Sequence, residues 1–142
     1  MNKKNRKLFN RLRELNLPHG EYAVFGSGPL AIRDIIECQD LDVIVTNELF
    51  SKLRQDSRFV TKRKDKDIYL DYDGIEIWCT WAPGEWDIEE LIVGAETIDE
   101  LPFVLLGFVI IFKIMHGREK DWEHLKLLGD YWIREGIVLG VA

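Results

Sequence analysis

The sequence predicts an α+β domain, in which a small mixed β-sheet with flanking helices precedes a helical C-terminal part. Three observations indicate this class. Short apolar runs that are typical of buried strands lie within about residues 20–100. Helical apolar spacing dominates about residues 102–135, and no internal repeat is visible. Strands followed by helices favour the α+β class over alternating βαβ units. A length of 142 residues predicts one domain that extends from residue 1 to residue 142.

The first third of the chain predicts two helices and two strands. Residues 4–16 carry leucines at helical spacing with lysine and arginine opposite them, which indicates an amphipathic helix. The short apolar runs at 22–25 and 41–45 are typical of buried strands. Between them, residues 29–36 are expected to form a short helix with proline at an early position.

The middle of the chain predicts a helix, a strand and a hairpin. Asn47 is expected to cap a helix that ends near Gln55, and residues 59–62 are expected to form a strand. The charged run 62–67 is expected to be a turn that is either solvated or in contact with an acidic ligand. Residues 68–79 predict two strands around Asp73-Gly74, because Asp-Gly is a strong hairpin signal.

The last third predicts a loop and three helices. Residues 81–86 are a loop with two tryptophans, and Asp87 is expected to cap a helix that ends near Val93. Residues 97–101 are expected to be irregular. Pro102 is then expected to start a long apolar helix that ends near Gly117, followed by a last helix over about 119–135.

Two strand ends carry residues suited to an anion and a metal. In an extended strand Asp40 and Asp42 point to one face, where their repulsion is relieved by a cation such as Mg²⁺. The Gly-Ser turn, Gly26-Ser27-Gly28, lets the backbone approach a ligand, and Ser27 can donate its hydroxyl. The N–H groups of the helix after this turn are expected to face a phosphate. Chemistry on a nucleotide is therefore indicated.

A third acid lies in the predicted hairpin. Glu76 stands between Ile75 and Ile77, so its side chain faces away from theirs. It is either a residue on the solvent face or a ligand that faces the site. Trp78, Trp81 and Trp86 follow, and they either pack in the core and loop or offer a stacking surface to a nucleobase.

Together these motifs resemble the nucleotidyltransferase superfamily of the DNA polymerase β type. Gly26-Ser27, Asp40-Leu41-Asp42 and Ile75-Glu76-Ile77 carry the resemblance over about residues 21–80. It implies a nucleotidyltransferase-like fold and metal-dependent transfer of a nucleoside monophosphate from a nucleoside triphosphate to a hydroxyl acceptor. It further implies that Asp40, Asp42 and Glu76 are catalytic and bind Mg²⁺, with Mn²⁺ as the alternative ion. Gly26 and Ser27 are implied to hold the β- and γ-phosphates.

The C-terminal half adds a basic cluster to this resemblance. Lys113, Arg118, Lys120 and Asp121 are spaced as Lys-x4-Arg-x-Lys-Asp, similar to a cluster found in small bacterial nucleotidyltransferase-like proteins. The resemblance implies that Lys113 and Arg118, together with Arg33, bind the nucleotide. From the residues alone, Lys113 is expected to bury its stem and bring its ammonium to water or to a phosphate.

Two departures from the family pattern keep a second interpretation open. The segment from Gly28 to Arg33 carries one basic residue where small family members often have an Arg-Ala-Arg-Gly-like run, and Glu76 stands where Asp is frequent. The alternative is a catalytically weak or inactive binding or regulatory module, such as an antitoxin-like partner protein.

Composition limits the partners that the chain would meet. The formal net charge of −6 makes a nucleic-acid acceptor less favoured than a small-molecule or protein hydroxyl. Cys38 and Cys79 form neither a disulfide framework nor a zinc motif, and the three histidines are scattered without a partner at metal-ligand spacing. His116 and His124 are expected either to be solvated at helix ends or to lie near Arg118. The apolar run 103–112 is shorter than the about 20 residues that span a membrane. A cytoplasmic protein is expected, with a homodimer or a partner protein closing the acceptor cleft by analogy.

Overall fold

A seven-stranded mixed sheet organises the computed structural model, which describes residues 1–136. Six helices accompany the sheet within that range. The strands are β1 (Tyr22–Phe25), β2 (Leu41–Val45), β3 (Val60–Lys64), β4 (Asp67–Tyr72), β5 (Ile75–Trp78), β6 (Glu96–Ile98) and β7 (Leu101–Phe103). The helices are α1 (Lys3–Glu14), α2 (Gly28–Ala31), α3 (Asn47–Arg54), α4 (Ile88–Val93), α5 (Leu106–His116) and α6 (Glu119–Arg134). The α+β class is confirmed.

The spatial order of the strands is β3-β4-β5-β2-β1-β7-β6. Hairpins join β3 to β4, β4 to β5, and β6 to β7 as antiparallel pairs. In the centre of the sheet β2 is antiparallel to β1 and parallel to β5, while β1 is parallel to β7. The chain therefore brings β2 and β5, which are distant in sequence, side by side in the middle.

Helices cover both faces of the sheet. On one face Leu8, Phe9 and Leu12 of α1, with residues of α2 and α3, pack on the inward side chains of the strands. On the other face α4 and α5 pack on Phe25, Ile44 and Trp78. Both faces of the central strands are buried, which explains why β1 is apolar at every position. Helix α6 packs outside α5.

The hairpin prediction and several boundaries are confirmed. Asp73 and Gly74 both adopt positive φ and connect β4 to β5. Asp87 caps α4 by accepting the N–H of Glu90. Helix α5 ends at Gly117, which takes the left-handed conformation that glycine tolerates.

Three local predictions are wrong. Helix α2 ends at Ala31 instead of Ile36, and Asp34 soon after it adopts positive φ. Thr46, not Asn47, caps α3 by accepting the N–H of Leu49. The charged run 62–67 is mostly strand, because β3 is an exposed edge strand whose lysines and arginine face solvent.

The prediction for residues 96–103 is also wrong. An irregular stretch and a helix beginning at Pro102 were expected, yet β6 and β7 form a hairpin there and α5 begins only at Leu106. Asp99 and Glu100 make the turn with positive φ, a conformation for which their residue types give little signal. The apolar residues 101–103 pair with β6 and β1.

The apolar α5 is short. Within residues 1–136 no helix has both the length and the hydropathy required to cross a membrane.

Candidate functional site

Strand register brings the Gly-Ser turn beside two of the predicted acids. Phe25, the last residue of β1, pairs with Asp42, and Asp42 pairs with Glu76 across the parallel β2-β5 ladder. Gly26 follows Phe25 with φ of 59°. A Cβ at Gly26 would lie 2.7 Å from Asp42 Oδ2, so both the backbone angle and the space require glycine there.

Asp42 and Glu76 form an acid pair, the name used below for these two residues. They are direct neighbours across the β2-β5 ladder, and the indole Nε1 of Trp78 donates to Asp42 Oδ1 at 3.1 Å. Burial raises the pKa of Glu76 to about 8, and the negative charges of Asp42 and Asp40 act in the same direction. Burial also raises the pKa of Asp42. The mutual repulsion of the two carboxylates thus favours the protonated form of Glu76.

Asp40 and Asp71 are two further acidic residues near the acid pair, and neither completes a three-residue metal site with it. Asp40 is exposed just before β2. Asp71, which the sequence interpretation missed, pairs in register with Glu76 and binds Lys62 at 3.1 Å. The hairpin around Asp73-Gly74 contained the signal, because its register sets Asp71 opposite Glu76.

The acid pair suits a cation that needs few protein ligands. Among residues 1–136, no three His, Cys, Asp or Glu side chains converge as a ready metal site. Mg²⁺ is usually held by one or two carboxylates together with waters and substrate phosphates. The donor set of Asp42 and Glu76 therefore fits Mg²⁺, whereas a site built entirely from protein ligands does not fit the described residues.

A cleft of about 520 Å³ opens over the acid pair and the Gly-Ser turn. Its walls combine carboxylates, cations and aromatic rings, and they include Gly26, Ser27, Asp40, Asp42, Glu76, Lys64, Arg118, Lys120, Trp78, Trp81, Phe112 and His116. A more open hollow of about 610 Å³ touches the other end of β2 at Val45 and contains no lysine or arginine. The first cleft is the one where the predicted residues meet.

Lys64 is a cleft residue, although the sequence interpretation placed it in a charged turn and did not assign it to the site. It ends β3 and lines the cleft, where its positive charge acts on Asp42. Its position depends on the pairing of β3 with β4, which carries the end of an exposed edge strand towards the acid pair. Lys64, Arg118 and Lys120 thus give the cleft three cations.

Lys113 lies behind the Gly-Ser turn instead of reaching into the cleft. Its side chain is 1% exposed, and its Nζ donates to Ser27 Oγ at 3.0 Å. It also contacts His124 Nδ1 at 3.0 Å and lies 3.6 Å from Asp121 Oδ1. The expectation that its ammonium reaches water is therefore wrong, since polar groups of α6 and the turn surround it. Burial lowers the pKa of Lys113, and Asp121 opposes that shift.

Asp121 is the buried anion of this basic cluster. Its side chain is fully buried and accepts hydrogen bonds from Nε, Nη2 and the backbone N–H of Arg118 at 2.8, 3.2 and 3.1 Å. Burial tends to raise the pKa of Asp121, but the bonds from Arg118 and the charge of Lys113 leave it lowered. His116 Nδ1 lies 3.7 Å from the same carboxylate. The predicted cluster does assemble, with Arg118 at the cleft wall.

Arg33 does not join the other predicted residues. Its guanidinium donates to the carbonyl of Pro29 at 2.7 Å and pairs with Glu96, so it ties α2 to β6. Nor does α2 offer a row of free N–H groups. Pro29 has none, and the N–H groups of Leu30 and Ala31 bond to the carbonyl of Ser27.

The tryptophans mainly pack against other side chains. Trp78 stacks on Tyr69 with ring centroids 4.4 Å apart, and Trp81 stacks on Phe25 at 4.9 Å. Trp86 meets Phe25 edge to face. Trp78 and Trp81 also line the cleft, so packing and contact with a ligand are compatible for these two.

His116 and His124 pack near the basic cluster, which was the second of the two expectations for them, instead of being solvated at helix ends. His124 bonds to Lys113, and burial together with the charge of that lysine lowers its pKa to about 4. Burial and the charge of Arg118 lower the pKa of His116. Both positions depend on how α5 and α6 pack, which spacing along the chain does not reveal.

The acid pair should make the metal-free protein less stable as the pH rises. Glu76 has a folded pKa of about 8 against an unperturbed 4.5, so between these values the folded chain keeps a proton that the unfolded chain has lost. Its contribution to stability is present below about pH 4.5, falls across this window and stays low above it. Since Glu76 is partly exposed, we expect a loss of about 1 kcal/mol between pH 6.5 and 8.5.

Urea unfolding in chelator-treated buffer measures this effect. Glu76→Gln should lack this component of the pH dependence and should be the more stable protein at pH 8.5. Equal slopes of unfolding free energy against pH for the two proteins would contradict the assignment.

Searches against protein-family models, curated proteins and solved structures find no match for this chain.

Proposed function

We propose that this protein is a metal-dependent nucleotidyltransferase of the DNA polymerase β type, which transfers a nucleoside monophosphate from a nucleoside triphosphate to a hydroxyl acceptor. The observation that carries the proposal is the acid pair beside Gly26, at the base of a cleft with three cations. Carboxylates for a cation and basic groups for phosphates are the parts that phosphoryl-transfer chemistry requires. The nucleotidyltransferase-like fold is part of this proposal.

Asp42 and Glu76 would hold Mg²⁺, or Mn²⁺ in its place, with Asp40 at the rim of the site. When bound, the ion supplies charge neutralisation on the phosphates and lowers the pKa of the acceptor hydroxyl. Because the pKa of Glu76 is raised to about 8, this residue would have to give up its proton for the acid pair to hold a divalent cation. In this proposal Glu76 either ligates the metal or acts as the general base that takes the proton of the acceptor hydroxyl.

The remaining cleft residues bind and orient the triphosphate. Ser27 donates its hydroxyl to a phosphate oxygen, while Arg118, Lys120 and Lys64 offset the negative charge. In the transfer step the acceptor oxygen forms a bond to the α-phosphorus. The bond from that phosphorus to the bridging oxygen breaks, and pyrophosphate leaves with the electron pair.

The acceptor is proposed to be a small molecule or a protein hydroxyl. The chain carries a net charge of −6, which disfavours a nucleic-acid acceptor. The cytoplasm, which the cysteine content favours, remains the proposed location, and a homodimer or partner protein remains the proposed means of closing the acceptor side.

Calorimetric titration of nucleotides tests the proposal. With Mg²⁺ present, the wild-type protein should bind at least one nucleoside triphosphate, and Asp42→Asn should weaken that binding at least tenfold, or about 1.4 kcal/mol. Asp130→Asn is the matched control, because Asp130 is an exposed aspartate of α6 that does not line the cleft, and its replacement should keep wild-type affinity. A wild-type protein that binds no nucleotide with Mg²⁺ or Mn²⁺ would refute the proposal, as would an Asp42→Asn protein that binds equally well.

A second candidate is a binding or regulatory module that keeps the fold without turnover. It is favoured by the separation of Asp40 from the acid pair and by the engagement of Arg33 with Glu96. Co-purification of a stable complex with the product of a neighbouring gene, without nucleotide incorporation, would support this candidate. Transfer of labelled nucleotide to that partner would instead support the nucleotidyltransferase proposal.

A further inference from the structure

A buried ammonium lies directly behind the Gly-Ser turn. Lys113 Nζ is 3.0 Å from Ser27 Oγ, 3.0 Å from His124 Nδ1 and 3.6 Å from Asp121 Oδ1. Since Lys113 is 1% exposed and does not line the cleft, it cannot touch a ligand there without moving. Any effect that it has on the site must pass through Ser27 or through its charge.

The chemistry of these groups fixes the direction of the hydrogen bond. An ammonium has only donors, so Ser27 Oγ must accept from Lys113. The serine then has its own hydroxyl proton to donate. Although Ser27 is the N-cap residue of α2, its side chain makes no capping hydrogen bond to the helix. The hydroxyl proton could not serve there in any case, since backbone N–H groups are themselves donors. Ser27 lines the cleft, so its donor is available to an acceptor there.

The charges behind the Gly-Ser turn also favour a hydrogen-bond acceptor in the cleft. Lys113 and Arg118 both lie against the single carboxylate of Asp121, at 3.6 and 2.8 Å. Lys113, Arg118 and Asp121 together therefore carry a net positive charge behind the turn, while the acid pair beside Gly26 carries the negative charge that the cation of the proposed function would offset. A negatively charged acceptor in the cleft is therefore favoured over a neutral one.

We propose that Lys113 is a positioning residue, which holds Ser27 as a hydrogen-bond donor towards a phosphate oxygen and so makes this wall of the cleft selective for phosphate. The inference rests on the proposed function and goes beyond it, since it assigns the lysine an action through the serine instead of direct contact with the nucleotide. Removing Lys113 leaves Ser27 free to turn its hydroxyl towards other acceptors. Without the Ser27 hydroxyl, Lys113 can no longer influence how the ligand is bound.

A double-mutant cycle separates this indirect role from direct contact. The probe is inorganic tripolyphosphate with Mg²⁺, which carries no base or sugar, and its dissociation constant is measured for wild type, Ser27→Ala, Lys113→Met and the double variant. Each single change should raise the dissociation constant about tenfold. The double variant should have a dissociation constant no higher than the higher of the two single variants. Lys120→Met is the matched control, because Lys120 lines the cleft itself and its effect should multiply with that of Ser27→Ala.

The outcomes distinguish this inference from the proposed function. Independent losses in the double variant, about a hundredfold in total, would overturn the inference and leave the function standing. A wild-type protein that binds neither tripolyphosphate nor a nucleoside triphosphate would overturn both. Thermal unfolding checks that each variant is folded, and if Lys113→Met is not, Lys113→Gln replaces it in the same cycle with the same two deciding results.

Discussion

Replacing Asp121 by asparagine should lower the free energy of unfolding by about 3–5 kcal/mol. The side chain is fully buried and holds Arg118 through three hydrogen bonds, with Lys113 and His116 close by. An amide keeps the shape of the carboxyl group but removes its charge. The 1% exposed Lys113 would then lie in the protein interior without a counter-ion, and an uncompensated buried charge is a large destabilising effect.

Urea unfolding followed by tryptophan fluorescence measures the loss. Asp130→Asn provides the control, because Asp130 is an exposed aspartate on the same helix and its replacement should change stability by no more than about 0.5 kcal/mol. A second change tests the mechanism. Adding Lys113→Met to Asp121→Asn removes the buried cation that lacks a counter-ion and should restore part of the lost unfolding free energy. An Asp121→Asn protein within 1 kcal/mol of wild type would show that the carboxylate is not the counter-ion we describe.

Replacing Phe25 by alanine should also cost about 3–5 kcal/mol. Phe25 is fully buried and packs against Trp81, Trp86 and Phe112, with ring centroids 4.9, 5.4 and 5.5 Å away. Truncation leaves a cavity among three aromatic rings, which can fill it only in part. Because Trp81 and Phe112 line the cleft, the loss should also weaken tripolyphosphate binding in the protein that remains folded.

Phe108→Ala is the comparison for that change. Phe108 lies on α5 with 40% of its surface exposed, so its removal should cost less than about 1 kcal/mol. Chemical denaturation of the two variants gives the difference. Equal losses would contradict the role of Phe25 as the centre of the aromatic cluster.

Local chemistry explains what the sequence could predict. The strands 41–45 and 75–78 have apolar patterns, and the Asp73-Gly74 turn is set by its own two residues. Alternation along a strand also predicted correctly that Glu76 faces away from Ile75 and Ile77. In each case the information lies within a few consecutive residues.

Long-range pairing explains what the sequence could not predict. The contact between Asp42 and Glu76 depends on β2 lying parallel to β5 in one register, and a shift of one residue would separate the two acids. Lys113 was expected to extend its ammonium to water or to a phosphate, because its buried partners Asp121 and His124 are on the next helix and leave no local signal. Arg33 was assigned to the site for its charge, whereas packing of α2 near β6 supplies Glu96 as its partner.

Trp78 gives the acid pair a natural spectroscopic probe. Its indole N–H donates to Asp42 Oδ1, and the chain has five tryptophans, so the indole region of a nitrogen-15 correlation spectrum is simple enough to assign by single substitutions. A change in the charge or direction of the Asp42 carboxylate should shift the Trp78 indole signal, and the emission of the stacked ring should respond as well. Ionisation and occupancy of the site can thus be followed through one native side chain, with no dye or foreign group attached to the protein.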